Sequence, residues 1–430
     1  MVMIRFTLAS LCIVPALLPC ELANAQEASD ILVRDQQAVV RPRPERGETV
    51  RNRARPELDP LGIRRGAFTV LPGLEVREVY NDNIFSEDQG KVDDFITLVS
   101  PNLRARSNWR NHQLNLGASA TIGRYATEPD ENFEDFFVGL DGRLDITRRN
   151  QLRLGGSYNQ LHEGRGSPDD VRGVEPTVFT VGSGFLTYAY QGGRALLELD
   201  ASADRLEYEN VRAGDGNIIN IDERNRTIWT GGLKIGYEFL PRYTAFVKGA
   251  FNQREYDRLT GGIDRDSEGY LVELGTALDL TGLLFGDIAI GFRSQDFDDP
   301  SLATVNGVTG GGTLTWTPTG LTTVTSTVAR EIRETIVGMS SSIFSTSGSV
   351  VVDHELLRNL LLQARVSVID DDFEGIDRSD RYIGAGFGAD YLMNRYIYFS
   401  IDYDYLNRDS NAEGEDFTDN VVSLSARLQI

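Results

Sequence analysis

The amino-acid sequence predicts an all-β fold: a transmembrane, antiparallel β-barrel of about 18 strands in the outer membrane of a Gram-negative bacterium. Three observations lead to this prediction. Apolar and polar residues alternate with period two from Phe68 to the C-terminus, short and long connections take turns along the same stretch, and the chain begins with a signal peptide. After that signal no run of 18 or more apolar residues follows. A helical membrane span is therefore excluded, whereas strands of about ten residues can cross a tilted barrel wall.

The N-terminus has the parts of a secretory signal peptide. Arg5 supplies a positive charge, an apolar segment too short to span a bilayer follows it, and Ala23-Asn24-Ala25 fits a small-x-small cleavage site. We therefore assign residues 1–25 to the signal peptide, with cleavage after Ala25. Lipidation at Cys20 is the weaker alternative, because Pro19 spoils the small-residue pattern of such sites.

Composition limits the chemistry of the exported chain. Cys12 and Cys20 are the only cysteines, and both fall inside the signal, which excludes disulfides, thiolate metal sites and cysteine nucleophiles. The formal net charge is −21; the signal is neutral and residues 26–66 carry nine arginines against seven acids, so residues 67–430 carry −23. A surface this acidic repels nucleic acid, which we exclude as a partner.

Residues 26–66 differ from the rest of the chain. They have almost no apolar periodicity, and four prolines interrupt any regular element: Pro42, Pro44, Pro56 and Pro60. We predict a disordered periplasmic tether here, and we favour a simple spacer over a specific docking arm. The barrel domain then comprises residues 67–430.

Residues 67–430 consist of one hairpin after another. Leu114, Leu116 and Ala118 alternate with polar residues, for example, and this pattern recurs to the end of the chain. Tight turns recur at residues 110–112, 148–150, 191–193, 241–242, 281–282, 318–320, 358–359 and 394–395. With nine longer polar loops between them, these eight turns make 17 connections and about 18 strands. Membrane barrels sort short periplasmic turns from long extracellular loops; a β-sandwich has no reason to do so, and a propeller or β-helix repeats a motif that is not seen here.

The last strand is apolar on alternate positions to the final residue: Val422, Leu424, Ala426, Leu428 and Ile430. This pattern resembles the terminal strand by which the barrel-assembly machinery recognises outer-membrane proteins. Ile430 departs from that pattern, because an aromatic residue is usual at this position.

Two stretches resemble the putative β-barrel porin 2 family. The first contains DPLG from Asp59, then Gly66, Phe68, Pro72, Leu74 and YNDNIF from Tyr80; the second contains HEGRGSPDD at 162–170 and EPT at 175–177. The barrel pattern covers nearly all of residues 59–430. The resemblance implies an outer-membrane barrel, and it implies an association with capsule or exopolysaccharide secretion, which is common among members.

Two acid-rich stretches have the composition of cation sites. In Asn81-Asp82-Asn83, side chains that tolerate turn conformations predict a turn at the outer rim, in preference to a calcium site formed by Asp82 with Asp88, Asp93 or Asp94. Residues 369–380 imitate a calcium loop, but Arg381 stands where a bidentate acid is required, so we predict a solvated external loop. No metal and no cofactor is predicted.

One local grouping has the residue types of a hydrolytic site. His162, Ser167 and Asp169 lie close in sequence, but in a loop with Gly164, Gly166 and Pro168 that offers them no rigid support. We therefore predict no enzymatic activity.

The face of each strand opposite the apolar one is predicted to line the lumen. Its charged members carry both signs, and they can either stiffen the wall through salt bridges or line a wet path for a hydrated glycan. Two tyrosines on the same face could stack on sugar rings. The candidate lumen residues are Asp141, Arg143, Asp145, Glu198, Asp200, Lys248, Arg254, Arg293, Arg365, Asp390, Asp402, Asp404, Tyr382 and Tyr398.

These expectations lead to a functional hypothesis: the outer-membrane channel component of an exopolysaccharide or capsule export system. The alternatives are a general or sugar-selective diffusion porin and a structural or adhesive barrel. Expected partners are outer-membrane lipid and lipopolysaccharide, the barrel-assembly machinery during insertion, and, for export, a polysaccharide and periplasmic export proteins.

Overall fold

The computed structural model describes residues 47–430; the predicted signal peptide and residues 26–46 of the predicted tether lie outside this range. Among residues 47–430, no helix is long and apolar enough to cross a membrane. Pro129–Glu131 and Asp222–Arg224 form single 3-10 turns. The strands are β1 (Ile63–Arg65), β2 (Phe68–Asn81), β3 (Asp94–Ser107), β4 (Gln113–Tyr125), β5 (Phe133–Asp145), β6 (Asn150–His162), β7 (Val178–Gly192), β8 (Ala195–Tyr208), β9 (Val211–Arg212), β10 (Ile218–Ile219), β11 (Arg226–Leu240), β12 (Tyr243–Tyr256), β13 (Ser267–Asp279), β14 (Leu284–Phe297), β15 (Val305–Thr319), β16 (Thr322–Arg333), β17 (Ser342–Leu357), β18 (Leu360–Glu374), β19 (Ser379–Leu392), β20 (Ile397–Ser410) and β21 (Phe417–Gln429).

Eighteen long strands form one closed antiparallel barrel. Each long strand pairs with the next one along the chain, and β2 pairs with β21, so the sheet has no free edge. β1 extends the pairing at the start of β2, and β9 with β10 forms a small hairpin inside a loop. Closure pairs the backbone polar groups that lipid cannot satisfy. The predicted fold class and strand number are confirmed.

The connections differ between the two ends of the barrel. Eight tight turns lie together at one end, hereafter the turn end, and the chain reaches its last residue there: residues 108–112, 146–149, 193–194, 241–242, 280–283, 320–321, 358–359 and 393–396. The other nine connections lie at the opposite end, hereafter the loop end, and the longest of them is 209–225. The alternation predicted from the sequence is therefore present at every connection.

One predicted loop is mostly strand. Residues 369–380 were expected to form a solvated external loop, but β18 continues to Glu374 and β19 begins at Ser379. Asp371 and Asp380 lie opposite each other across the two strands and are each only 1% exposed. Arg333 lies within salt-bridge distance of Asp371, and Arg378 is 2.8 Å from Asp380, so paired charge lets this acidic hairpin continue as sheet.

The expectation of a disordered tether is wrong for residues 47–66. Residues 47–58, hereafter the N-terminal segment, pack against the inside of the barrel at the turn end, and β1 then joins the sheet. Val50 and Leu58 are buried with Leu361 and Leu392 of the wall. Burial of these two apolar side chains stabilises the packed position of the segment, and so do ion pairs described below. A proline-rich spacer was not expected to make such contacts.

Candidate functional site in the barrel interior

Strand register assigns each wall side chain to one of two faces. Glu75 on β2 lies opposite Ser100 on β3 and Arg427 on β21, and directly paired residues share a face. Following the pairing round the barrel places all fourteen candidate lumen residues on the face of Glu75. The other face carries exposed apolar side chains such as Ile290 (63% exposed) and Leu424 (56% exposed).

The face of Glu75 is the interior, because its side chains contact segments that reach across non-neighbouring strands. Arg51 of the N-terminal segment pairs with Asp353 on β17 and Asp390 on β19. At the loop end Glu334, which follows β16, pairs with Arg254 on β12. Such contacts can be made only across the lumen.

On β5 and β6 the inward charges pair with one another. Arg153 Nη2 lies 3.4 Å from Asp141 Oδ2, and Arg143 Nε lies 3.1 Å from Asp145 Oδ1. Asn115 Nδ2 also donates to Asp141 Oδ1 at 3.3 Å. This arrangement supports a stiffening role for Asp141, Arg143 and Asp145.

Between β8 and β14 charges of both signs share one patch of wall. Lys234 on β11 lies opposite Glu198 on β8 and Lys248 on β12, and Lys248 Nζ is 3.8 Å from Glu273 Oε2. Asp200 accepts a hydrogen bond from Thr187 Oγ1 at 2.9 Å. Further round, Arg293 projects from β14 opposite Leu271 and Gly307.

The wall formed by β17 to β20 is predominantly acidic. Near the turn end and the middle of the barrel it presents one arginine, Arg365, and five carboxylates, and we call these five the acidic wall: Asp353, Glu355, Asp390, Asp402 and Asp404. Arg365 Nε donates to Asp404 Oδ1 at 2.8 Å, and its Nη1 lies 3.6 Å from Asp402 Oδ1. Gln363 and Ser400 donate to Asp353 and Asp390 respectively.

Three arginines of the N-terminal segment meet the acidic wall, and the sequence analysis did not anticipate them. Arg51 Nε lies 2.7 Å from Asp353 Oδ1, and its Nη1 contacts Asp390. Arg55 is buried, with Nη2 2.7 Å from Glu355 Oε2, while Arg53 Nη1 is 3.1 Å from the same oxygen. The sequence signal was the high density of arginine in VRNRAR; the turn that directs these side chains, with the Arg53 backbone N–H donating to the Thr49 carbonyl at 3.1 Å, was not predicted.

Two loops fold into the lumen at the loop end, also unanticipated. Loop 334–341 enters beneath the rim: Glu334 Oε1 lies 3.0 Å from Arg254 Nε, and Glu334 also pairs with Arg226. Burial alone would raise the pKa of Glu334, but the two guanidinium groups outweigh it and lower that pKa. Arg265 holds the same loop by donating to the carbonyls of Thr335 at 3.0 Å and Ser340 at 2.9 Å.

Loop 163–177 reaches the opposite wall and meets loop 334–341. Asp169 accepts hydrogen bonds from Thr335 Oγ1 at 2.7 Å and from the Ile336 backbone N–H at 2.9 Å. Arg408 on β20 donates to the Gly166 carbonyl at 3.1 Å, and Arg224 pairs with Glu163 at 2.9 Å. The two loops therefore narrow the lumen at the loop end and are tied to several sides of the barrel.

Neither tyrosine of the candidate set is free to stack on a sugar ring. Tyr382 is only 8% exposed, in a cluster with Ile369, Leu406 and Phe417. Tyr398 is half-buried under the N-terminal segment, and its hydroxyl donates to the Leu58 carbonyl at 2.8 Å. The proposed role of both residues is therefore wrong for this conformation, because neighbouring side chains already cover the rings.

The acidic turn after β2 has a structural role. The Asn83 backbone N–H donates to Asn81 Oδ1 at 2.8 Å, which is the predicted side-chain-capped turn. Asp82 accepts the backbone N–H and the side-chain amide of Asn420, each at 2.7 Å, and so ties the first hairpin to the last strand. Among residues 47–430, no group of three or more His, Cys, Asp and Glu side chains could hold a metal ion.

The side chains of the supposed hydrolytic grouping point to different partners. His162 Nδ1 lies 3.0 Å from both carboxylate oxygens of Asp135, and its ring stacks on Phe133. Ser167 Oγ donates to Glu163 at 3.1 Å and accepts the Asp169 backbone N–H at 3.2 Å, whereas the Asp169 carboxylate accepts from loop 334–341. The structure does not bring the three together for nucleophilic chemistry.

No curated protein matches the chain. Solved structures that are similar include OpdL of Pseudomonas aeruginosa (15% identity, TM-score 0.46, 85% of this chain and 100% of that chain) and a BenF-like porin from Pseudomonas fluorescens Pf-5 (13% identity, TM-score 0.47, 84% and 99%). The family model described as putative beta-barrel porin 2 matches residues 55–430. The chain therefore belongs to the putative β-barrel porin 2 family and is a porin-like outer-membrane β-barrel.

Proposed function

We propose that this protein is a selective diffusion channel for small hydrophilic solutes, with its loop end at the cell surface and its turn end in the periplasm. The observation that carries the proposal is the packing of loops 163–177 and 334–341 inside the mouth, where ion pairs and hydrogen bonds hold them to β11, β12 and β20. An eighteen-strand barrel without such loops would leave a broad aqueous bore. With them, the path suits small solutes better than a bulky polymer.

Export of an exopolysaccharide receives less support. A long glycan would have to displace the two loops at the mouth and pass the N-terminal segment at the turn end. The aromatic rings that were expected to contact sugars, Tyr382 and Tyr398, are covered. The family resemblance keeps export as the competing hypothesis, and the experiment below separates the two.

The experiment pairs two measurements in one deletion strain: influx of a small sugar or an antibiotic, and the amount of cell-surface polysaccharide. We expect slowed influx with unchanged polysaccharide, because a diffusion channel serves uptake. Complementation with the intact gene should restore influx. Loss of surface polysaccharide with normal influx would overturn the proposal and favour export.

Orientation and partners are part of the same proposal. The apolar outer face implies contact with outer-membrane lipid and lipopolysaccharide, and the alternating last strand implies recognition by the barrel-assembly machinery. Single cysteines at Asp88 and at Arg395 should separate the two ends, because an impermeant thiol reagent on intact cells reaches only the outside. Equal labelling of both positions would contradict the assigned orientation.

A further inference from the structure

The acidic wall and the N-terminal segment carry opposite charges, and one of their contacts lies where both face the lumen. The wall carries five carboxylates and one arginine, Arg365, which is already engaged with Asp402 and Asp404. By strand register Asp353 lies level with Asp402, and Asp390 lies one inward position closer to the turn end. The cation that contacts both of them is Arg51. The charge of these two carboxylates is therefore offset by a residue that does not belong to the barrel wall.

Arg51 differs from its neighbours in the segment. The Arg53 and Arg55 guanidinium groups converge on Glu355, and Arg53 also lies 3.4 Å from Glu48 of its own segment. Arg51 instead spans two strands, with a side chain that is 37% exposed beside partners that are 9% and 25% exposed. Arg51 is thus the most exposed of the three arginines, because the side chains of Arg53 and Arg55 are 20% and 4% exposed.

Substitution of Arg51 should leave the segment in place. The Val50 backbone N–H donates to Thr323 Oγ1 at 2.9 Å, Val50 and Leu58 are buried against the wall, and Arg55 pairs with Glu355. The two carboxylates also keep hydrogen-bond donors of their own, since Gln363 donates to Asp353 and Ser400 donates to Asp390. Both carboxylates therefore keep a polar partner when Arg51 is replaced.

We infer that Arg51 limits the cation selectivity of the channel: it masks Asp353 and Asp390, and the lumen becomes more selective for cations when it is removed. The inference rests on the proposed channel function and deepens it, because it names a residue that sets the preference between cations and anions. The solutes affected are small cations, for which K⁺ is the simplest probe.

The test is the reversal potential of the refolded mature chain in planar bilayers under a KCl gradient centred near 0.1 M, where charges act over about 10 Å. We expect Arg51→Gln to raise the K⁺ to Cl⁻ permeability ratio by roughly fivefold, the factor that one unit charge about 4 Å away produces through water. Asp353→Asn with Asp390→Asn, added to Arg51→Gln, should reverse this increase. Gradients near 1 M salt should reduce it, because the screening length falls to about 3 Å.

Arg358→Gln is the matched control, since Arg358 also binds the segment, through Glu57 at 2.8 Å and the Ala54 carbonyl at 3.2 Å. Its wall partner is Glu355 at 3.8 Å, and not Asp353 or Asp390. An equal rise in the permeability ratio in Arg358→Gln would mean that loosening of the segment, or loss of any positive charge beside the acidic wall, causes the effect, and would overturn the inference. If Arg51→Gln conducts ions but its K⁺ to Cl⁻ permeability ratio is unchanged, the inference about Arg51 is overturned, while the channel function stands. Absence of conductance in every variant, including the unmodified chain, would overturn both.

Discussion

The two ends of the lumen are narrowed in different ways. At the turn end, the N-terminal segment follows one side of the wall and combines apolar burial of Val50 and Leu58 with arginine pairs. At the loop end, two loops reach toward each other from separate sides of the barrel, and their contacts are almost all polar. At the turn end Glu355 meets three arginines, so it stays compensated when one of them is removed. At the loop end Arg226 and Arg254 share the carboxylate of Glu334, and its removal leaves two uncompensated charges. The loop end should therefore be the more sensitive of the two to single substitutions.

The largest effect is expected for Glu334→Gln. The Glu334 side chain is 14% exposed between Arg226 and Arg254, and its loss leaves both guanidinium groups without that carboxylate. We expect the free energy of unfolding to fall by about 3 to 5 kcal/mol and single-channel conductance to rise as loop 334–341 leaves the mouth. Denaturant unfolding in lipid and bilayer recording check this.

Glu207→Gln is the control for that prediction, because the Arg205–Glu207 pair is exposed and should contribute no more than about 1 kcal/mol. If Glu334→Gln and Glu207→Gln lowered the free energy of unfolding by the same small amount, the Glu334 ion pairs would not be what holds the loop in the mouth.

A second prediction tests whether the acidic wall that binds the N-terminal segment lies on the inner face. Phe399 and Asp402 are three residues apart on β20 and point to opposite faces, with Phe399 on the apolar side. Phe399→Arg should cost about 2 to 4 kcal/mol near the bilayer centre, whereas Asp402→Asn should fold normally. Heat-modifiable gel mobility after refolding reports the folded fraction, and equal folding of the two variants would contradict the assignment of faces.

At the turn end the expected effect is smaller. Arg55→Gln removes one of three arginines on Glu355 and keeps Arg53 and Arg358. We therefore expect the packing of the segment on the wall to lose about 1 to 3 kcal/mol. Proteolysis within residues 47–58 should become faster, with unfolding of the barrel unchanged. Arg358→Gln also loosens the segment, but its contacts are exposed, so the increase in proteolysis should be the smaller of the two. Faster proteolysis in Arg358→Gln than in Arg55→Gln would show that the rim, and not the buried pair, holds the segment.

The smallest effect concerns pH at the loop end. Burial raises the pKa of Asp170 from 3.8 to about 6, with Glu163 and Glu131 adding to the increase and Arg165 opposing it. Because the pKa in the packed state is the higher one, Asp170 contributes its full stabilisation below pH 3.8 and loses it as pH rises through about 6. Acidification from pH 7 to pH 5 should therefore stabilise packed loop 163–177 by about 1 kcal/mol and lower conductance.

Asp170→Asn should remove that pH dependence, because the amide does not titrate in this range. Conductance measured at both pH values in the unmodified and substituted chains checks the prediction. A conductance that rises on acidification, or a pH response unchanged in Asp170→Asn, would contradict it.

The outer surface of the barrel could be predicted from the sequence because each of its determinants is local. Period-two alternation decides which residues of a strand share a face, so Asp141 and Asp402 could be assigned to the face opposite Leu116 and Phe399 without knowledge of any neighbour. Turn length likewise separates the two ends of the barrel. The strand number follows from these connections, and Asp82 could be assigned to a turn from its own residue type.

What occupies the interior was decided only by the tertiary structure. Arg51 and Asp390 are 339 residues apart, Arg408 and Gly166 are 242 apart, and nothing in their local sequence indicates a partner. The composition of the N-terminal segment suits a solvated spacer as well as a segment packed on an acidic wall. It packs here because the closed barrel brings Asp353, Glu355 and Asp390 together. In the same way Tyr382 has the period of a lumen residue, yet Arg408 and Phe417 pack around it. Alternation along a strand determines the direction of a side chain, whereas loops and segments distant in sequence determine whether that side chain meets water.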